Sequence, residues 1–141
     1  MDGFSTHDGD LACVLAVDDQ PAFRSAVREL VKATNGMVVV GEAESGERAV
    51  ELLEDLSPDL VLMDVSMPGI GGIGAAWVIK TISPETVVVL LSAVPPDELP
   101  DEAGACPADA LVWKSDLRPG RLEQLWKRLR ASSEPDAASA A

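Results

Sequence analysis

Positive charge is scarce in this chain. Its 141 residues carry 11 Lys and Arg against 24 Asp and Glu, a formal net charge of −13. General binding to nucleic acid or to an anionic membrane needs a dense positive field, so this balance argues against both. It suits cation binding, although so acidic a surface is more commonly a solubility feature. Cysteine is also rare: Cys13 and Cys106 are too few for a disulfide framework and have no metal-ligand spacing. They read as reduced thiols of a cytoplasmic protein. No apolar run approaches the roughly 20 residues that span a bilayer. The N-terminus, MDGFSTHDGD, is acidic and polar, unlike a signal or transit peptide, and its His7 has no assigned role.

Hydrophobic residues make up 47% of the chain and charged ones 25%, the balance of one globular domain with a single core. The apolar residues gather in short runs at 11–17, 37–43, 59–63, 86–92 and 109–113, rich in Val, Leu and Ala. None alternates cleanly between apolar and polar, which predicts strands buried on both faces of a parallel sheet. Helical periodicity fills the gaps. Phe23, Val27, Leu30 and Val31 form one stripe after Pro21, with Arg24, Arg28, Glu29 and Lys32 outward. Ala49, Leu52, Leu53 and Leu56 form the next, capped by Ser45 and ended by Ser57-Pro58. A weaker helix is expected over 73–82 on Ala75, Ala76, Val78, Ile79 and Ile82, and a clear one follows Pro119 on Leu122, Leu125, Trp126 and Leu129. Segment 94–107 holds four prolines and four acids, predicting a short, irregular fourth helix. Residues 1–10 read as a disordered polar leader, 11–130 as the folded domain, and 131–141 as a flexible tail or linker.

The order is βαβαβαβαβα, an α/β sandwich whose right-handed crossovers put helices on both faces of the sheet. Such sheets gather functional groups at the carboxyl ends of their strands. There stand Asp18-Asp19, Asp64, Ser92 and Lys114, with Glu42-Ala43-Glu44 at a sheet edge. Each has an ordinary role alone: a helix cap, a turn hydroxyl, a solvated amine. Together, three crowded carboxylates stay ionised only when a cation or proton relieves them. All-oxygen ligands suit Mg²⁺, beside which a carboxylate can attack phosphorus. A lysine and a hydroxyl are the right types to meet the added charge.

In this order, "VDDQP", "MDVSMPGIGG", "LLSA" and "LVWKSDL" resemble the receiver domain of bacterial two-component response regulators, over about Leu11 to Arg130. "VDDQP" and "KSDL" are most similar to the LuxR/NarL branch, whose members usually carry a C-terminal helix-turn-helix. The resemblance implies a flavodoxin-like (βα)5 fold with a five-stranded parallel sheet of order 2-1-3-4-5. It implies that Asp64 is the phosphoacceptor. Asp19 and Asp64 would bind Mg²⁺ directly, Asp18 mainly through water, and Ser66 through its backbone carbonyl. Ser92 and Lys114 would contact the phosphoryl group. The donor would be a sensor histidine kinase, the output a change in protein contacts, often homodimerisation, and catalysis of other substrates is not expected. Leu111 departs from the family, which usually has an aromatic switch residue there; Trp113, two residues on, should share its sheet face. The Gly69, Gly71, Gly72 and Gly74 cluster lacks the Lys-Ser/Thr of a phosphate-cradling loop and reads as a turn. Ser66 and Val94 lack groups to orient a hydrolytic water, which predicts a long-lived phosphoryl group. Two other readings compete: a receiver-fold binding module with a weakened switch, and a Mg²⁺-dependent aspartyl phosphatase. The second would want an acid where Ser66 stands.

Overall fold

The computed structural model of the protein describes residues 11–132. Five parallel strands form one sheet in the order β2-β1-β3-β4-β5: β1 (Ala12–Val17), β2 (Met37–Ala43), β3 (Leu60–Asp64), β4 (Val87–Ser92) and β5 (Ala110–Trp113). Between and after them run α1 (Pro21–Lys32), α2 (Gly46–Leu56), α3 (Gly71–Ile82), the five-residue α4 (Asp101–Ala105) and α5 (Pro119–Ser132). The expected leader over 1–10, with His7, lies outside the described residues. Of the expected tail over 131–141, Ala131 and Ser132 belong to α5 instead, and the remainder lies outside the described residues.

The uninterrupted apolar strands become the centre of the molecule. Every residue of β3 and β4 is buried, so both sheet faces need helices. On one face Val14, Leu62, Val89 and Val112 pack with Val27 and Val31 of α1 and Leu122 and Leu125 of α5. On the other, Leu15, Met63 and Leu90 pack with Leu53 of α2 and Ala75, Ala76 and Ile79 of α3. A fully buried leucine such as Leu62 contributes roughly 1.5–3 kcal/mol by leaving water.

Local signals set the helix ends. Pro21 opens α1 at the position where its missing N–H is not needed. The Ser45 hydroxyl accepts the Arg48 N–H at 3.0 Å and caps α2. Ser57, with φ of 43°, ends α2 in a left-handed turn before Pro58. The proline-rich segment forms only a 3₁₀ turn at Pro96–Glu98 and the short α4. One expectation changes: Val78 and Ile82 of α3 do not face the core but are 37% and 61% exposed. Edge strand β2 carries a register shift opposite Val14/Leu15, a break that discourages another strand from pairing there.

Candidate functional site

Strand register brings the expected site residues to one rim. Asp64 is the last residue of β3 and lies opposite Leu91; Ser92, next along β4, lies opposite Trp113, so Lys114 follows at the same level. Asp18 follows β1, its N–H bonded to the Ala43 carbonyl at 3.1 Å. Asp18 and Asp64 are buried, whereas Asp19 is exposed. One oxygen from each of these carboxylates can be chosen such that all lie within 4.8 Å of one another.

The turn after Asp64 is built to hold it. Val65 N–H bonds the Leu91 carbonyl at 2.9 Å, and Gly72 N–H returns to the Val65 carbonyl at 3.0 Å. Gly69 and Gly71 take φ of 81° and 71°, a region that L side chains enter at a cost. Glu47 at the start of α2 accepts the Ile70 N–H at 3.1 Å, pinning the turn to the neighbouring helix. At Gly72 a Cβ would run into the Asp64 carbonyl and come within 2.9 Å of Val65 Cα. Gly69 lies in the turn, as expected, whereas Gly71, Gly72 and Gly74 fall within α3, and Gly72 lets that helix approach β3.

The charges are only partly balanced. Lys114 Nζ stands 3.1 Å from Asp18 Oδ2 and 3.6 Å from Asp64 Oδ1. It also sits 3.4 Å from the centroid of the Phe23 ring, whose π-face favours a cation. Asp18 is engaged on both oxygens, since its Oδ1 accepts the Gln20 N–H at 2.9 Å. Ser66 N–H donates to Asp64 Oδ1 at 3.3 Å. Burial is the largest influence on the Asp64 carboxyl and raises its pKa above the ordinary value; Lys114 opposes this, Asp18 adds to it, Ser66 N–H opposes it and Asp19 adds to it. The net effect is a carboxylate whose charge is disfavoured in the metal-free site. Hard oxygen donors in such a cluster fit a small divalent cation that keeps its waters.

A cleft of about 380 Å³ opens over this rim, lined by Asp19, Phe23, Asp64, Ser66, Ser92, Val94 and Lys114 among others. Larger hollows lie elsewhere, between α2 and α3 and along β2, but neither contains this cluster. Ser92 lines the cleft, yet its hydroxyl is turned onto its own loop: it donates to the Val94 carbonyl at 2.6 Å and accepts the Val94 N–H at 3.1 Å. Leu111 lies opposite Leu90 and packs, partly buried, on the face shared with α2 and α3. Trp113, two residues along, donates its indole N–H to the Ala93 carbonyl at 3.3 Å. Glu42 is drawn away from the site by Arg24 and Arg28.

Phe23 and Glu47 are site components that sequence reasoning missed. Phe23 fitted the apolar stripe of α1, and nothing in that periodicity marks it as the floor under Lys114. Glu47 lies in the first turn of α2, where an acid is common, and no spacing in the sequence ties it to the turn after Asp64. Among the described residues no helix is long and apolar enough to cross a membrane. Cys13 and Cys106 are free thiols away from the cleft.

Comparison with known proteins agrees with the geometry. The sequence profile of the response regulator receiver domain matches residues 14–127. The response regulator GacA of Pseudomonas aeruginosa is 39% identical over 95 residues, covering 65% of this chain and 44% of GacA. The nitrate/nitrite response regulator protein NarL of Escherichia coli is 45% identical over 62 residues, covering 44% of this chain and 29% of NarL. In each case the match spans less than half of the curated relative. Among solved structures, a LuxR-family two-component response regulator from Aurantimonas superposes with a TM-score of 0.76 at 30% identity, covering 92% of this chain and 94% of that one. The receiver domain of the response regulator NarL from Mycobacterium tuberculosis also gives 0.76, at 28% identity, covering 86% of this chain and 97% of that one. A hundred-residue stretch of shared pattern, the sheet order and the cleft all coincide, and the chain belongs to the response regulator receiver domain family.

Proposed function

We propose that the chain is a phosphorylatable receiver, taking a phosphoryl group on Asp64 from the phosphohistidine of a sensor histidine kinase. The observation that carries this reading is the pairing of three carboxylates, with oxygens within 4.8 Å, with a lysine 3.6 Å from the candidate nucleophile. Asp64 attacks phosphorus through a carboxylate oxygen; the P–O bond forms as the P–N bond to the donor imidazole breaks. The donor imidazole leaves with the electron pair of that bond. Asp19, exposed and with no ion pair among the described residues, and Asp64 would hold Mg²⁺ directly, with the Ser66 carbonyl as a further ligand. Asp18, committed to Lys114 and Gln20 N–H, fits a role through water. Bound Mg²⁺ supplies neutralising charge for the carboxylates and the incoming phosphoryl oxygens.

Lys114 pairs with the phosphoryl oxygens once Asp64 is modified. Ser92 reaches them only by giving up both of its contacts with Val94, so the loop after β4 moves with the hydroxyl. That movement is the switch, read by protein partners or by a second copy of the chain. Leu111 gives this chain no aromatic ring to follow it, which favours a second reading, a binding module with weakened switching. A phosphatase reading has no acid at Ser66 to protonate a leaving group. The chain itself makes no direct nucleic-acid contact in this account; in a longer regulator of the helix-turn-helix branch, DNA binding belongs to another domain. Cytoplasmic residence goes with a kinase donor of this kind.

Incubation with Mg²⁺ and acetyl phosphate, followed by intact mass and sedimentation, separates these readings. The switch predicts one phosphoryl adduct, absent in Asp64→Asn, and a changed assembly state. An adduct with unchanged assembly and partner contacts favours the binding module. Turnover of added phosphomonoesters favours the enzyme. Ser66 and Val94 line the cleft without an amide or carboxylate to orient water, so the adduct is expected to outlast a half-life of seconds.

A further inference from the structure

Helix α3 is apolar on two sides. Ala75, Ala76 and Ile79 are buried against the sheet, while Ile70, Trp77, Val78 and Ile82 stand 43%, 53%, 37% and 61% exposed. Their spacing of i, i+7, i+8 and i+12 is that of one helical stripe. It runs the length of a 12-residue helix, about 18 Å at 1.5 Å per residue. A contiguous exposed stripe of this kind marks an interaction surface. Of these four only Ile82 lines a groove of about 810 Å³ between α2 and α3, where it joins Val50, Leu53 and Pro58 as the apolar wall.

The rim of that groove is acidic: Glu51, Glu54, Asp59 and Glu85 line it, and exposed Asp55 is next to Glu54 in the chain. Of the cations on the two helices, Arg48 offsets one rim acid, Glu51, at 2.9 Å, and Lys80 is taken up by Asp109 at 2.9 Å, so Glu54, Asp59 and Glu85 keep the rim anionic. Apolar floor and anionic rim together select the occupant. We propose that the exposed stripe of α3, together with the groove it meets at Ile82, docks a cationic amphipathic helix of a partner protein, whose apolar side lies along Trp77, Val78 and Ile82 and whose Lys or Arg side chains face the acids. A second copy docked face to face would bring acid against acid, and its cationic helix α5, with Arg121 and Arg128 exposed, already commits its apolar side to its own core through Leu122, Leu125, Trp126 and Leu129. The chain's own outlying segments fit no better, since 1–10 carries Asp2, Asp8 and Asp10, and 133–141 carries Glu134 and Asp136 with no large apolar residue. An anionic membrane is repelled by the same rim.

The test uses the full chain and two synthetic helical peptides, one of Leu and Lys in amphipathic order and its Leu and Glu counterpart, with affinity read by calorimetry. The Lys peptide is expected to bind and the Glu peptide not to. Trp77→Gln with Ile82→Gln should weaken binding by about tenfold or more, as loss of a central anchor does. Glu54→Lys with Asp55→Lys should do the same, whereas Asp97→Lys with Glu98→Lys, an equal charge change at exposed positions on the distant 3₁₀ turn, should leave affinity within about twofold. All six substituted positions are exposed, and circular dichroism checks that each variant folds. Absence of Lys-peptide binding overturns the proposal. So does equal weakening in the distant pair, which would mean diffuse attraction to an acidic protein. So, too, does a wild-type dimer that dissociates on Trp77→Gln, which would assign the face to a second copy.

Discussion

Asp64 carries a conflict that its neighbours only partly settle. It is buried with Asp18, and burial raises its pKa first, with Lys114 and the Ser66 N–H pulling the other way and Asp18 and Asp19 adding to the rise. A carboxyl whose folded pKa lies above its unfolded one binds its proton more tightly when folded. Its contribution favours folding below the unfolded pKa and is lost as pH rises through the folded pKa. Asp64→Asn should therefore raise Tm in EDTA at pH 7 by on the order of a few degrees, with the gain shrinking as pH falls through the raised folded pKa toward the ordinary carboxylate range and level below it. Saturating Mg²⁺ should narrow the gap at pH 7 by stabilising the wild type. Thermal melts across pH, with and without Mg²⁺, check this; a variant less stable than the wild type at pH 7 in EDTA contradicts it.

At the scale of elements, most of what positions the site was legible in advance, because chain chemistry and tertiary structure agree there. Pro21, Ser45 and Ser57-Pro58 mark helix ends by removing or satisfying backbone groups, and they do so in the fold. Apolar runs without alternation pointed to a parallel sheet, and it is one, doubly buried at β1, β3 and β4 but only partly at the edge strands β2 and β5; its carboxyl rim collects Asp18, Asp19, Asp64, Ser92 and Lys114. Helix α3 was harder to read. It is apolar nearly all round, so periodicity could not say which face meets the sheet, and Val78 and Ile82 proved to face outward. Its start at Gly71, before the expected 73, lay hidden among glycines that weigh against a helix on propensity. The Ser92 hydroxyl's turn toward Val94 and the Lys114–Phe23 contact depend on rotamers, to which sequence spacing is blind. Gly72 shows what that close packing demands. Gly72→Ala would drive a Cβ into the Asp64 carbonyl, and should destabilise the fold by about 2 kcal/mol or more in urea unfolding. A loss within about 0.5 kcal/mol would show that the β3–α3 junction gives way more easily than its geometry implies.

For the molecule as a whole, the net charge of −13 is self-repulsion held in check by a well-filled core. Much of the surface charge lies within the roughly 10 Å screening length of 0.1 M salt. Raising KCl from about 0.02 to about 0.5 M, in EDTA, should therefore raise Tm by several degrees. A salt-independent Tm would mean that ion pairs such as Arg28–Glu42, at 2.5 Å, outweigh the repulsion. The acidity also shapes partnership: it suits a metal at the strand rim and a cationic helix at the α2–α3 groove, two sites on different parts of one domain. Occupancy of the rim by a phosphoryl group is the central claim, and beryllium fluoride stands in for that group. Fluorine NMR of the protein with Mg²⁺ and beryllium fluoride should show bound resonances that need Mg²⁺, vanish in Asp64→Asn and persist in Asp55→Asn. Bound resonances that survive Asp64→Asn, or none at all in the wild type, would contradict the assignment of Asp64 as the phosphoryl acceptor.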